Sequence, residues 1–107
     1  MNAPQKVPQN GFYYHYKHNS SGALNDYAYE VVGVGAHTEI DGEFFVVYRP
    51  LYESSVFKAG KLFDVRPLEM WMGNVEKDGK TFLRFSKITD AAILVGLEKI
   101  KKQMYGN

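Results

Sequence analysis

The spacing of hydrophobic and polar positions along this 107-residue chain changes near its end. From Phe12 to Phe85 the apolar residues fall in short β-favouring runs, separated by Gly, Pro, Asp and Asn, the punctuation of strands and turns. Beyond Thr89 the period becomes helical: Ile93, Leu94, Leu97, Ile100 and Met104 define one apolar stripe. That spacing predicts an amphipathic helix of about fifteen residues. Thr89 or Asp90 is its candidate N-cap. Lys99, Lys101 and Lys102 fall late, where the negative end of the helix favours cations, and Gly106 follows the last turn.

The first run, Phe12 to His18, predicts a strand with Phe12, Tyr14, Tyr16 and His18 on one side and Tyr13, His15 and Lys17 on the other. Residues 19–26 read as a loop. Tyr29 to Ile40 and Glu43 to Arg49 predict a hairpin around Asp41-Gly42, a pair suited to a two-residue type I′ turn. That turn sets Ile40 against Glu43, Thr38 against Phe45, His37 against Val46 and Gly35 against Tyr48. Val34, Ala36, Thr38, Ile40, Phe45 and Val47 then form the core face. Gly33, Gly35, His37, Glu39, Phe44, Val46 and Tyr48 form the outer one, with the Tyr48 ring over bare Gly35. A one-residue slip would exchange the two faces.

Two strand-like runs end in Arg-Pro-Leu, at Arg49-Pro50-Leu51 and Arg66-Pro67-Leu68, because proline has no N–H to give a ladder. Between them, residues 51–60 read as a connection and Lys61 to Arg66 as a strand. Leu68 to Met72 predict a single helical turn after Pro67. Val75–Lys77 and Lys80–Phe85 predict a second hairpin around Asp78-Gly79. A two-residue turn there sets Lys77 directly against Lys80, an unfavourable like-charge pair, so a longer loop is the alternative. Five to six short strands and one helix predict a mainly β fold, a small antiparallel barrel or rolled sheet. Pattern alone does not choose among SH3-like, OB-like and other small barrels.

The length fits one domain. The absence of cysteine excludes disulfides, thiolate zinc sites and cysteine nucleophiles, and fits a reducing compartment. The polar start of the chain has no signal-peptide core, and no run approaches the ~20 apolar residues of a membrane span. A cytoplasmic location with no membrane partner is expected. A net charge of +1 excludes a global positive field while leaving room for a local basic groove. The aromatic content of 15%, with eight tyrosines, points to half-buried strand faces or a binding face.

The stretch Gly11-Phe12-Tyr13-Tyr14-His15-Tyr16-Lys17, followed by Tyr29-Glu30-Val31-Val32-Gly33, resembles the opening of a bacterial family known as domain of unknown function 1653. Further blocks match in order: His37-Thr38-Glu39, Val46 to Tyr52, Val65 to Met70, Asp78-Gly79-Lys80, and Arg84-Phe85. Residues 19–28 look like an insertion, Trp71 stands where phenylalanine is common, and the C-terminal helix lies outside the resemblance. The resemblance implies an SH3-like barrel and no established activity. Together with the polar lead and the helical period, it gives an expected organisation of residues 1–10 as a disordered lead, 11–88 as the SH3-like barrel domain and 89–106 as an amphipathic helix packed on it.

Four groups of residues are candidates for chemistry. His37 shares a predicted face with Glu39 and Tyr48, as a general base with its orienting carboxylate or as a polar clamp; the competing role is stiffening of the hairpin. His15 and His18 invite a metal reading, but three-residue spacing on a strand sends their rings to opposite sides. A site would need His15 and His37 to converge with Glu39 or Glu69. No metal or cofactor is expected. Arg49 and Arg66 would clamp a carboxylate or phosphate, or pair locally with Glu53, Asp64 or Glu69. Tyr13, Tyr14, Tyr16, Tyr48, Tyr52 and Trp71 would line an aromatic groove or fill the core.

The sequence contains no nucleophile elbow, phosphate-cradling glycine loop or strong metal motif, which favours binding over catalysis. The expected function is a small soluble binding module for a peptide, nucleotide or nucleic-acid element. Its expected ligand-binding residues are Tyr14, His15, Tyr16, His37, Glu39, Tyr48, Arg49, Arg66 and Trp71. The alternative is a small hydrolase-like enzyme using His37 and Glu39.

Overall fold

In the computed structural model, which describes residues 3, 4 and 6–106, strands and short helices follow in the order β1 (Gly11–His15), β2 (Ala28–Ala36), β3 (Phe44–Pro50), α1 (Ser55–Lys58), β4 (Asp64–Pro67), α2 (Leu68–Trp71), β5 (Asn74–Lys77), β6 (Lys80–Leu83), β7 (Phe85–Lys87) and α3 (Ala91–Tyr105). One antiparallel sheet has the order β4-β3-β2-β1-β7, and β5 and β6 form a separate hairpin. The fold is mainly β with a C-terminal helix.

The expected barrel does not close. No ladder joins the edge strands β4 and β7, and side chains bridge the seam between them instead. Trp71 of α2 stacks on Phe85 of β7 at 3.6 Å with nearly parallel planes. The guanidinium of Arg66 on β4 lies 5.2 Å from the centre of the same Phe85 ring.

The β2–β3 register also differs from the expected one. Ala36 pairs with Phe44, Gly35 with Phe45, Val34 with Val46 and Gly33 with Val47; a bulge at Val32 then brings Val31 opposite Tyr48. Relative to a two-residue turn the strands have slipped by an odd number of residues, which turns β3 over. Tyr48 does not cover Gly35. It is buried, 5% exposed, with Val46 on the core face. Two effects explain the outcome. This register buries the larger side chains, Tyr48 and Val46, against Val31. The connection spans residues 37–43, closed by His37 N–H donating to Glu43 O (2.8 Å), and only Gly42 of the Asp-Gly pair has positive φ.

Both faces of the sheet are covered. On the concave side Tyr13, Val31, Val46, Tyr48, Trp71 and Phe85 form one core, extended by Tyr29, Val34 and Leu68. On the other side α3 seats Leu97, fully buried, against Phe12, Ala28, Leu51 and Ile88. The strand alternation expected for Tyr13 and Phe12 holds, with one residue in each core. The helix has the expected caps: the Asp90 carboxylate accepts from Ile93 N–H (3.0 Å), and Gly106 takes φ 83°. The 19–28 segment lies against this helix. Tyr14 OH donates to Leu24 O (2.6 Å), Asn25 donates to Leu51 O (2.8 Å), and the Leu24 side chain fills the space a Cβ on Gly96 would need.

The second hairpin has the expected tight turn. Lys77 pairs with Lys80, and Asp78 and Gly79 both have positive φ. It ends earlier than expected, at Leu83. Arg84 leaves the ladder, its N–H donating to Gly73 O (3.1 Å) and its O accepting from Tyr16 N–H (2.9 Å), so the chain crosses to pair with β1 as β7. At the front of the chain, Pro8 is buried and Tyr13 OH donates to Gln9 O (2.8 Å).

Candidate functional site

Antiparallel pairing gathers the C-terminal ends of β1 and β3 with the N-terminal ends of β2, β4 and β7 at one end of the sheet. His15, Tyr29, Tyr48, Asp64, Arg66 and Phe85 meet there, joined by Tyr27, Tyr52 and Arg84 from the flanking turns. The His15 ring lies edge-on to Phe85 (5.1 Å between centres), beside Tyr27 (5.5 Å) and against Tyr16 (4.5 Å). Tyr29 and Tyr52 share a hydroxyl–hydroxyl hydrogen bond of 2.6 Å, and Arg66 Nε donates to Tyr48 OH (3.3 Å). Tyr27 is exposed and holds a left-handed backbone, φ 51°, which a bulky residue adopts only under strain and which clusters at functional sites.

Cations outnumber carboxylates at this end. Among the described residues, neither Arg66 nor Arg84 has a carboxylate within ion-pair distance, and Arg84 Nε is a buried donor with no partner. Burial, then the positive charges of Arg66, Lys17 and Arg84, hold the His15 imidazole down to about 4. Its Nδ1 accepts the Lys17 backbone N–H (3.2 Å), so the neutral ring carries its proton on Nε2. Burial raises the Asp64 carboxyl and Arg66 partly offsets that rise. Burial also pushes the Tyr29 and Tyr52 phenols upward, keeping both hydroxyls protonated as donors.

A pH dependence of stability follows. Unfolded His15 titrates near its ordinary 6.5 and folded His15 near 4, so between those values the unfolded chain binds more protons. The contribution of neutral His15 is complete above pH 6.5 and is lost as pH falls toward 4. His15→Gln should therefore have a flatter urea-midpoint profile than the parent between pH 7 and 5.5, above the range in which ordinary carboxylates titrate. Parallel profiles would remove this assignment.

The structure separates the expected site residues. His15, Tyr16 and Arg66 come together, with the Tyr48 hydroxyl beneath them. Trp71 is 2% exposed and belongs to the core. Tyr14 faces α3 and stacks on His18 at 3.6 Å. Arg49 faces α3 as well, bonded to Glu30 at 2.8 Å, so the two Arg-Pro-Leu arginines lie on opposite faces of the sheet. His37 and Glu39 lie beyond the far end of β2. The His37 Nδ1 accepts the backbone N–H groups of Glu39 and Ile40, both at 3.0 Å, and no bond joins the two side chains. The ring shapes its loop, and Glu39 does not orient it. Arg84 and Tyr27 were not singled out by the sequence pattern. The sequence hints at Arg84 only through the Arg84-Phe85 block of the family resemblance and as a charge between two apolar residues, Leu83 and Phe85.

A surface groove of about 720 Å³ runs between α3 and strands β1 and β7, lined by Phe12, Ile88, Leu94 and Val95. Its carboxylates Glu30 and Glu98 both engage Lys101, so reactive chemistry is better placed at the arginine end. Among the described residues no three His, Asp or Glu stand together to hold a metal ion, and no helix is long and apolar enough to cross a membrane.

No curated protein and no solved structure matches the chain. The family model described as Protein of unknown function (DUF1653) matches residues 11–87, from the first residue of β1 to the last of β7. The match covers the whole sheet and every residue of the arginine end, and the chain belongs to the DUF1653 family.

Proposed function

We propose that this protein is a small binding module for an anionic ligand, a nucleotide, nucleic-acid element or acidic peptide, held at the Arg66–Arg84 end of the sheet. The observation that carries the reading is the pair of half-buried arginines without carboxylate partners, one with an unsatisfied buried Nε. A buried donor left unpaired costs about 1–3 kcal/mol. An arriving oxyanion would pair with the guanidinium groups and offset the positive charges that add to burial in holding His15 uncharged. Neutral His15 and the Tyr48 and Tyr52 hydroxyls would add neutral donors, and the exposed Tyr27 ring a surface for a flat group. The finer reading of the fold, an SH3-like barrel left open along one seam, is supported by the family resemblance and by the approach of β4 to β7 across Phe85. The cysteine-free sequence supports a reducing compartment, the cytoplasm.

The test is an NMR titration with inorganic phosphate and with AMP. Both should perturb Arg66, Arg84, His15 and Tyr27 together and move the His15 titration upward, since an adjacent anion favours imidazolium. Arg84→Gln should weaken binding about tenfold or more, the worth of a charge-assisted hydrogen bond. Perturbations confined to other faces, or an affinity indifferent to Arg84→Gln, would reject the reading.

A further inference from the structure

Beside the arginine end, a cleft of about 400 Å³ opens between the end of β1 and the β5–β6 hairpin, lined by Tyr16, Lys17, Lys77, Asp78, Lys80 and Phe82. It adjoins the arginine end, because Tyr16, which lines it, donates its N–H to Arg84 O. Resting on the anion reading above, we propose that the ligand is a single-stranded nucleic acid whose backbone runs from Arg66 and Arg84 into this cleft, with bases stacked on the rings beside it.

Three observations lead there. The first is the Lys77–Lys80 pair. Like charges directly opposite on a hairpin destabilise it, and Asp78 and Gly79 hold the turn tight so the pair cannot slip apart. The folded chain gains nothing from this arrangement, whereas a polyanion in the cleft would turn the repulsion into binding energy. The second is continuity of charge. Arg66, Arg84, Lys17, Lys77 and Lys80 make five cations along one path, against the carboxylates Asp64 and Asp78. Strand alternation sends Glu76 to the opposite face of the hairpin from Lys77 and Lys80.

The third is the interleaving of rings with charges. Tyr16 is half-buried, Phe82 is 42% exposed and Tyr27 is 36% exposed. Flat rings beside a basic track suit unpaired bases, which expose their π-faces. In a duplex those faces are stacked away, and an acidic peptide has no use for them. With a net charge of only +1 there is little long-range steering, so binding should rest on these local contacts and be sensitive to salt.

The experiment compares the intact protein with Lys77→Gln/Lys80→Gln, a double variant that relieves the like-charge pair and so should keep the hairpin. Ligands are labelled oligothymidylate and oligouridylate of about ten nucleotides, a site size usual for such grooves, a hairpin-closed dA·dT duplex of the same length, and AMP. Both oligonucleotides should bind at least ten times more tightly than AMP and than the duplex. About four phosphate contacts at ~0.7 each predict a log–log salt slope near −3. The double variant should lose about tenfold for the oligonucleotides, flatten the slope by about one to one and a half, and leave AMP unchanged. A preference between the two oligonucleotides would identify the sugar being read. AMP binding through Arg84 with oligonucleotides no tighter, duplex equal to single strand, or no effect of the double variant would overturn this inference and leave the anion module standing. Failure of AMP and of every oligonucleotide to bind would overturn both.

Discussion

Trp71→Ala should lower stability by about 3–5 kcal/mol, the range for truncating a buried aromatic ring. Trp71 sits in a helix of only four residues, α2, yet is 2% exposed. It lies flat on Phe85 at 3.6 Å, meets Tyr13 edge-on at 5.5 Å and leans on Tyr48 at 4.9 Å. These contacts replace the ladder that β4 and β7 lack, so the ring is the main bridge across the open seam. Urea denaturation followed by circular dichroism would read the loss as a shift in midpoint at constant slope. Trp71→Phe should retain more than half of the difference, since a smaller ring still stacks on Phe85. Phe85 also carries Arg66 and His15, so Trp71→Ala should weaken phosphate binding as well. A loss below about 1 kcal/mol, far under the buried-ring range, would show that the sheet holds its curvature without the ring.

The parts of the fold that could be read in the sequence are those decided by local chemistry. The C-terminal helix announced itself by period, by Asp90 at its start and by Gly106 past its end. Asp78-Gly79 suggested a two-residue turn, with a longer loop as the alternative, and the positive φ at both residues gives the tight register. The β2–β3 hairpin carried the same Asp-Gly signal and failed, because His37 offers its loop another closure by accepting two backbone N–H groups. Long-range packing decided that register: Tyr48 and Val46 reach a core completed by Trp71 and Phe85 from much later in the chain. The bulge at Val32 is likewise invisible to a strict alternation, since it is the point where the strand changes pairing by one residue.

The candidate site was legible only in pieces. Arg66, His15 and Tyr16 attracted notice as residue types beside strand ends. What groups them is strand order, with β7 beside β1 and β4 beside β3, and that order depends on Arg84 leaving the β6 ladder. The error in register had a second consequence, since it placed the site beside the His37 loop and not among His15, Arg66 and Arg84. Residue type suggested candidates, and only pairing shows which of them stand together.

Glu30→Ala is expected to cost about 3 kcal/mol, the low end of the range for breaking a buried ion pair. One carboxylate serves two cations from different layers: Oε1 accepts from Arg49 Nε and Oε2 from Lys101 Nζ, each at 2.8 Å. Arg49 also lies 4.0 Å over the Tyr105 ring, and Tyr105 OH donates to Pro50 O at 2.6 Å. Sheet and helix are thus tied at the first Arg-Pro-Leu phrase. Without the carboxylate, two cations of 17% and 20% side-chain exposure face each other with only Glu98, 3.8 Å from Lys101, to offset them. Glu30→Met combined with Arg49→Met should recover part of the loss, because apolar replacement of a buried pair is often neutral and Lys101 can extend to water. Urea midpoints of the single and double variants decide the matter. A single-variant cost below about 1 kcal/mol would class the triad with surface bridges and leave Leu97 and its neighbours to dock α3. A cost near 3 kcal/mol with partial rescue would assign Arg49 to the architecture and separate the two phrases: one arginine holds the helix, and only the other stands at the proposed anion site.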